Sequence, residues 1–542
     1  MSRPRAVALR AALLLAILLA WLPALDAPFT YDDRIEVIGN RTIRRFDDIG
    51  TIAAYNTSRP LLIFTYALNW RLGGLDPFGY HVVSLAIHAL NALLAWRFAG
   101  RLLSPGRAAF AAAAWALHPM TTESATYITG RSDALQATWW LLGLTAWLDF
   151  RRAAPDAPAR WLGPRSIAVA SVVAALLTKE VGALLPVALL AVDRWLVATP
   201  RWRDHAPFWI AGAGAVALRL AVYGWPAAEV PRGAIAQLLS QAEVWARYLQ
   251  LWLAPVGQSI LHDHPGLARV AGALALGGWA LAAAALARAA RGEKPGSPAA
   301  LRVFALALFG AWLFASSAVP LLETMAEHRA YLAGFAVLLA LSASIQDSRA
   351  SRALALTTIP VLFAATVLRN RAWADETTLW ADAAAQNPDS ARAWYGAGEA
   401  LRHARRFPEA AAAYARAAEL DPADVDAAIN LGIVRAESGD EDGARAAWQA
   451  VLRRAPTSCA AHNNLAGLAF RAGRLDEATA SYTATLGWCA EDPIAHLNLG
   501  NLAWQRADAR AAAFHYRAYL KAAEDGPAAP LVLERLRRMN VQ

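Results

Sequence analysis

Eleven apolar stretches crowd the first 370 residues of this 542-residue chain, near 7–25, 78–99, 108–119, 134–149, 165–178, 181–198, 207–223, 267–288, 301–320, 330–344 and 353–368. A helix crossing a bilayer needs about 20 mostly apolar residues, because its backbone must satisfy its own hydrogen bonds there. The shorter stretches must extend at their edges or sit inside a bundle. So many in succession predict a polytopic membrane protein, built of helices. The chain is 57% hydrophobic and 18% charged, with mean hydropathy +0.28, against about 45–50% and about 25% in soluble domains. Those values exclude a disordered chain and a typical cytosolic enzyme. Two cysteines exclude a disulfide-dense scaffold and a cysteine-based zinc domain. The first stretch follows Arg3 and Arg5 as a secretory signal would. Ten further stretches favour an uncleaved first span, and orientation is the same either way.

Charge divides the chain. Residues 1–370 hold 33 Lys and Arg against 21 Asp and Glu, whereas 371–542 hold 19 against 22. Basic residues of short loops mark the cytoplasmic side. With the N-terminus inside, alternation puts Arg97, Arg101 and Arg107 in the cytoplasm. The same holds for Arg151, Arg152 and Arg160; Arg194, Arg201 and Arg203; Arg288, Arg291 and Lys294; and Arg349 and Arg352. Outside then lie 26–77, 120–133, 179–180, 224–266, 321–329 and everything after 369. The first outer loop carries six arginines against this rule, including Arg44, Arg59 and Arg71. Its apolar segment Pro60–Leu72 is too short to span and predicts a helix lying in the interface. Ile235–Pro255 must likewise be re-entrant or interfacial for the parity to hold.

The unusual ionisable residues all fall on the outer side. They are Asp32-Asp33, Arg59, His81, His118, Glu123, Arg131-Ser132-Asp133, Lys179-Glu180, His262-Asp263-His264, Glu323 and Glu327-His328-Arg329. Each alone could simply end a span in water: Pro119 could be a helix stop, and Lys179-Glu180 a self-neutralising turn. Charged residues at membrane depth commonly face a water-filled cavity, and it is the convergence on one face that carries weight. It suggests an enzyme acting on a lipid-linked anionic substrate. Two adjacent carboxylates suit a general base, since like charges raise one pKa. Arginine offers a fork for phosphate oxygens. His262-Asp263-His264 has metal-ligand types packed too tightly to share one ion, so no metal is expected. His88 and Asn91 read as interhelical polar contacts, and Tyr127 as interface or core.

The order of Thr30-Tyr31-Asp32-Asp33-Arg34, Arg59-Pro60-Leu61, His118-Pro119, Glu123-Ser124, Gly130-Arg131-Ser132-Asp133, Lys179-Glu180 and Glu323-x-x-x-Glu327-His328-Arg329-x-Tyr331 resembles the membrane part of the transmembrane and tetratricopeptide-repeat O-mannosyltransferases, of the GT-C glycosyltransferase fold. The resemblance covers roughly residues 25–335. It implies a polyprenyl-phosphate sugar donor, an acidic base in the first outer loop (Asp32 or Asp33), no nucleotide-sugar site and no cofactor. It makes Arg59, Arg131, Lys179 and Arg329 candidates for the donor phosphate. His118, Glu123, Asp133, Glu180, Glu323, Glu327, His328 and Tyr331 become candidates for lining the site.

Residues 370–542 repeat with a period of 34. Gly398, Gly432, Ala466 and Gly500 align, as do Ala410, Ala444, Ala478 and Ala512, and Tyr414, Trp448, Tyr482 and Tyr516. Small residues let paired helices approach and the aromatic fills the gap to the next pair, which is the tetratricopeptide pattern. Half a repeat with Trp380 and Pro388 precedes the four, and a closing helix near 527–540 caps them. Asn430, Asn464 and Asn498 form a row at the same spacing. Amides there could hold a peptide backbone, as in the asparagine ladder of O-GlcNAc transferases that the row resembles. They could equally cap or bridge neighbouring repeats. Cys459 and Cys489 open and close the third hairpin at one end, within reach of a disulfide, which would indicate an oxidising compartment.

Taken together, the sequence predicts an all-α chain, with a GT-C-like polytopic membrane domain over 1–369 and a tetratricopeptide superhelix over 370–542. The expected activity is transfer of a sugar, such as mannose, from polyprenyl phosphate to an extracytoplasmic acceptor, protein Ser/Thr in the first instance. Partners are the lipid-linked sugar, an acceptor polypeptide or envelope protein, and membrane lipids, but no nucleic acid. A bacterial inner membrane is the expected location. Two other readings compete: a membrane-anchored scaffold for envelope assembly, and a polymerase or flippase of lipid-linked glycans. The first has no need of converging charges, and the second should place polar residues mid-span throughout.

Overall fold

The computed structural model describes residues 2–153, 163–197, 202–223, 233–262, 269–316, 323–524 and 526–539. Of the residues singled out above, Arg160, Arg201, Asp263 and His264 lie outside these. Among the described residues the structure is helical, with one isolated antiparallel bridge between His262 and Met325. It divides into two compact units, residues 1–382 and 383–542.

In the first unit each of the eleven apolar stretches falls on helix. Among the described residues, four helices are long and apolar enough to cross a membrane: Pro4–Ala24, Pro77–Ala99, Ala271–Ala289 and Arg349–Trp373. Pro164–Leu176 and Pro298–Phe314 are shorter apolar helices. Pro105–Ala116 has 12 residues, only about 18 Å at 1.5 Å per residue. The 181–198 stretch is broken, with an eight-residue helix, Leu185–Val192, between a tight turn and a wide one. Ala234–Leu253 is amphipathic: Val244, Tyr248, Leu251 and Trp252 are buried, while Ile235 and Leu253 are exposed.

Proline opens many of these helices, where its missing N–H costs nothing, as at Pro60, Pro77, Pro105 and Pro164. Polar side chains knit the bundle from inside, where an unpaired donor or acceptor is costly. His88 meets Tyr331 Oη at 2.6 Å and Ala116 O at 2.9 Å, and Asn91 donates to Ala134 O and accepts from Thr138. Asn370 donates to Ala20 O, joining the last long helix to the end of the first. Gly334 is needed for close approach, because a Cβ there would enter the Trp252 ring.

The hydrophobic pattern places the end of the membrane part at 369, but the compact unit runs on to Asp382. Two ion pairs lie in this stretch: Arg34 meets Glu376 at 2.6 Å and Arg369 meets Asp382 at 2.7 Å. In the second unit, helices pair as Ala391–His403 with Phe407–Leu420, Asp426–Glu437 with Glu441–Arg454, Cys459–Arg471 with Leu475–Trp488, and Pro493–Gln505 with Ala509–Ala522. Ala529–Met539 follows as a closing helix. A Cβ on Gly398, Gly432 or Gly500 would strike the ring of Tyr414, Trp448 or Tyr516 respectively, which is why the small residue and the aromatic keep step. Cys459 and Cys489 form a disulfide with Cα atoms 6.4 Å apart.

Candidate active site

The first helix ends at Trp21, and the chain then turns back over the bundle so that Asp32 and Asp33 face the 120–133 segment. The turn is tight enough that Tyr31, a non-glycine residue, takes φ = 50°. Its hydroxyl donates to Glu323 at 2.6 Å, which helps hold a backbone that a side chain disfavours. The two carboxylates behave differently. Asp33 is buried and accepts from the Thr129 hydroxyl at 2.6 Å, the Thr129 N–H at 2.8 Å and the Thr30 N–H at 3.3 Å. Burial pushes its pKa up to about 7, against the pull of those hydrogen bonds. Asp32 is only half-buried. Its backbone N–H donates to Tyr127 Oη, and Tyr127 stacks on Trp373.

Behind this pair a chain of charges links separate loops. Lys179 Nζ lies 2.6 Å from Asp133 Oδ2. His328 Nδ1 lies 2.6 Å from Glu123 Oε1, and its Nε2 lies 3.9 Å from Asp133. Glu123 also accepts from the His328 backbone N–H at 3.2 Å. Beside Lys179, Glu180 pairs with Arg59 at 3.3 Å, both about one-third exposed. Arg329 donates to the Glu323 carbonyl at 2.9 Å and approaches its carboxylate at 3.8 Å. Burial lowers the pKa of Lys179 against the pull of Asp133. For Glu180, burial raises the pKa, but the Arg59 and Lys179 charges and the hydrogen bonds together outweigh it and hold the carboxyl below its usual range. A close backbone approach supports this end: a Cβ at Gly130 would strike the Glu123 carbonyl.

Four sequence candidates are drawn elsewhere. Arg131 is fully buried and donates to Ser84, Thr65, Asn69 and the Tyr80 carbonyl, with Tyr66 and Tyr80 rings 5.2 and 5.8 Å from its guanidinium. It braces three helices and is fully buried among them. His118 caps the Met120 N–H and packs on Trp252 at 4.5 Å. Glu327 is buried against Gln258, the Ser259 N–H and His262, each at 2.9 Å. Tyr331 belongs to the internal network of His88 and Asn91. Sequence reasoning missed Tyr31 and Thr129. Thr129 stands beside the Gly130-Arg131-Ser132-Asp133 run, but nothing in its own type marks it as the support of Asp33. No group of three or more metal-ligand side chains gathers among the described residues.

In the repeat unit the asparagine row splits. Asn464 and Asn498 line a cavity of about 490 Å³ with Trp448, Tyr482, Glu437 and Arg471. Asn430 instead donates to Tyr395 Oη at 2.8 Å, bridging to the preceding repeat.

A family model described as dolichyl-phosphate-mannose-protein mannosyltransferase matches residues 58–225, and a tetratricopeptide-repeat model matches 378–425 and 429–493. The chain is similar to protein O-mannosyl-transferase Tmtc1 of Drosophila melanogaster, 32% identical over 174 residues that make up 30% of this chain and 20% of that protein. It is also similar to Tmtc2 of the same organism, 33% identical over 194 residues, covering 32% and 21%. Human TMTC3 is 26% identical over 168 residues, covering 28% and 18%. The chain spans about a fifth of the length of these curated relatives. A crystal structure of ArnT from Cupriavidus metallidurans bound to undecaprenyl phosphate superposes on 85% of this chain and 81% of its own, at 18% identity and a TM-score of 0.39, too loosely to pair residues. Fold and site define an all-α, multi-pass membrane protein with a charged site at one end of its helices and a tetratricopeptide array after them. More particularly, the chain is a relative of the transmembrane and tetratricopeptide-repeat O-mannosyltransferases.

Proposed function

We propose that the chain is a GT-C glycosyltransferase that moves a hexose, mannose in the first instance, from a polyprenyl-phosphate donor to a Ser or Thr hydroxyl of an extracytoplasmic protein. The observation that carries this reading is the pairing of a reachable carboxylate, Asp32, with a chain of cations supplied by separate loops. Asp32 is the general base. It takes the acceptor hydroxyl proton as the oxygen bonds to the anomeric carbon and the carbon–phosphate-oxygen bond breaks. Negative charge then develops on the departing phosphate, where Arg59, Lys179 and Arg329 are placed to offset it. Glu180, Asp133 and Glu323 hold those cations in position, and Glu123 holds His328. Asp33, pinned by Thr129, fixes the turn that presents Asp32 and acts as a positioning residue. Arg131 takes no part in donor binding here, because its donors are spent inside the bundle.

The site faces outward across a bacterial inner membrane, with the repeats on the same side and Asn464 and Asn498 offering amides to the acceptor chain. A disulfide in the repeat unit agrees with an oxidising compartment. Cysteines that resist thiol alkylation until a reductant is added are the expected result. Free thiols at both Cys459 and Cys489 would remove that support. The direct test is reconstitution of the purified full chain with polyprenyl-phosphate mannose and a Ser/Thr-containing acceptor, read by mass spectrometry. Transfer that persists with a nucleotide sugar and no lipid donor would refute the donor assignment.

A further inference from the structure

A second polar pocket lies at the other end of the membrane helices. The Arg3–Trp21 helix is 19 residues long, so its two ends are roughly 28 Å apart. Asp32 follows its C-terminal end, and Arg5 stands at its N-terminal end. Here the starts of Arg3–Trp21, Pro105–Ala116 and Arg349–Trp373 enclose a cavity of about 490 Å³. Three of the lining residues are Arg5, Arg107 and Arg352. The single carboxylate on its wall is Asp347, 3.5 Å from Arg107 and half-exposed. Arg107 is held in place by Ser104 Oγ and the Ile345 carbonyl. Arg5 and Arg352 are exposed, and no ion pair among the described residues engages either.

Two further features suit an anion with an apolar tail. Ser104, at the N-cap of Pro105–Ala116, turns its hydroxyl to Asp347 and does not cap the helix, so the positive end of that dipole, with Gly106 and Arg107 on the pocket wall, keeps no side-chain cap. Leu9, Phe110 and Ala355 continue the wall toward the apolar part of the bundle. A free anion would need the cations alone and not such a wall.

We propose that this pocket binds an anionic glycerophospholipid, its phosphodiester held by Arg5, Arg107 and Arg352 and its acyl chains laid along Leu9 and Phe110. Under the orientation proposed above it lies at the cytoplasmic leaflet, whose anionic lipids attract clustered basic residues. That leaflet assignment rests on the orientation, but the binding does not.

The test titrates phosphatidylglycerol or phosphatidylcholine into the full-length protein in neutral detergent, with bound lipid read by native mass spectrometry. Phosphatidylglycerol should bind at least ~10-fold more tightly. At about 1 kcal/mol for each basic residue near an anionic head group, Arg5→Gln with Arg352→Gln should weaken it by roughly 30-fold. Asp347→Asn removes the opposing charge and should tighten binding several-fold, which a folding defect would not do. Equal binding of the two lipids, unchanged affinity in the double variant, or displacement of phosphatidylglycerol by millimolar inorganic phosphate would overturn the proposal.

Discussion

The Arg131–Arg152 helix carries an ionic cluster at each end, and the two clusters are built to different ends. At its C-terminal end Arg151 lies 2.9 Å from Asp193, which also meets His205 at 3.0 Å and accepts from Trp147 at 3.1 Å. The side chains of Asp193 and His205 are fully buried, and that of Arg151 is 5% exposed. At the N-terminal end Asp133 is just as deep, but its partners Lys179 and His328 reach the surface, and Arg59, Glu180 and Asp32 open further outward. Both clusters hold Asp, His and a cation. What separates them is access: one ties three helices and meets solvent only through Asp204, 3.3 Å from Arg151, while the other opens through Arg59 and Glu180, each about one-third exposed. Buried charge by itself therefore marks a place where pairing is obligatory, and a site needs an open member as well.

The largest expected effect separates the ends directly. Asp32→Asn should cut transfer by ~10²–10⁴-fold, as loss of a general base does, with little change in thermal stability. Asp193→Asn should do the reverse. It removes the fully buried anion of Arg151 and leaves it Asp204 at 3.3 Å, so the cost stays below the about 3–5 kcal/mol of an uncompensated buried charge, yet the protein that remains folded should turn over within a few-fold of wild type. Thermal denaturation in detergent together with transfer rates on the same preparations checks both. A sealed-end variant that folds normally but is inactive would break the distinction.

The sequence made one end visible and hid the other. Adjacent Asp32 and Asp33, Lys179-Glu180 and Glu327-His328-Arg329 stand out as charges against apolar runs, and alternation puts them on one face. Arg131 stands out equally and proves to be a brace, because charge at a helix start does not reveal whether Ser84, Asn69 and the Tyr80 carbonyl are waiting for it. Asp193 and His205 went unremarked since Asp193 lies inside a stretch the pattern reads as one apolar helix and His205 just ahead of the next. The repeats were legible as repeats, because a 34-residue period sets a small residue, glycine or Ala466, against an aromatic at each hairpin. The extent of the first unit was not legible, since the two ion pairs in its last stretch join residues far apart or across a helix boundary.

A smaller effect distinguishes the two adjacent aspartates. The pKa of Asp33 is raised by burial, from an ordinary 3.8 to about 7. The folded protein therefore holds a proton that the unfolded chain releases between those values. The stability this gives is fully present below about pH 4 and is lost as pH rises through about 7. The slope is at most about 1.4 kcal/mol per pH unit. Asp33→Asn keeps a neutral group at that position and should flatten the melting temperature against pH over this range. Asp32→Asn should leave the slope in place. Identical slopes in wild type and Asp33→Asn would show that Asp33 is ionised in the folded protein.

The smallest expected effect carries the comparison into the repeats, where one row of asparagines divides as the charged clusters do. The Asn430 amide is engaged with Tyr395, and replacing it removes a hydrogen bond worth about 1 kcal/mol. Asn464 and Asn498 face a cavity walled by Trp448 and Tyr482. Beside them Asn463 is buried, its amide donating to Asp492, so the wall behind the two open amides is fixed. Asn464→Ala with Asn498→Ala should raise KM for a peptide acceptor several-fold and leave kcat and the melting temperature nearly unchanged. Asn430→Ala should lower the melting temperature slightly and leave KM unchanged. Steady-state kinetics with a saturating lipid donor reads the first, and differential scanning of the same variants reads the second. Equal effects of all three asparagines on stability, with none on KM, would return the whole row to the bridging role that Asn430 already performs.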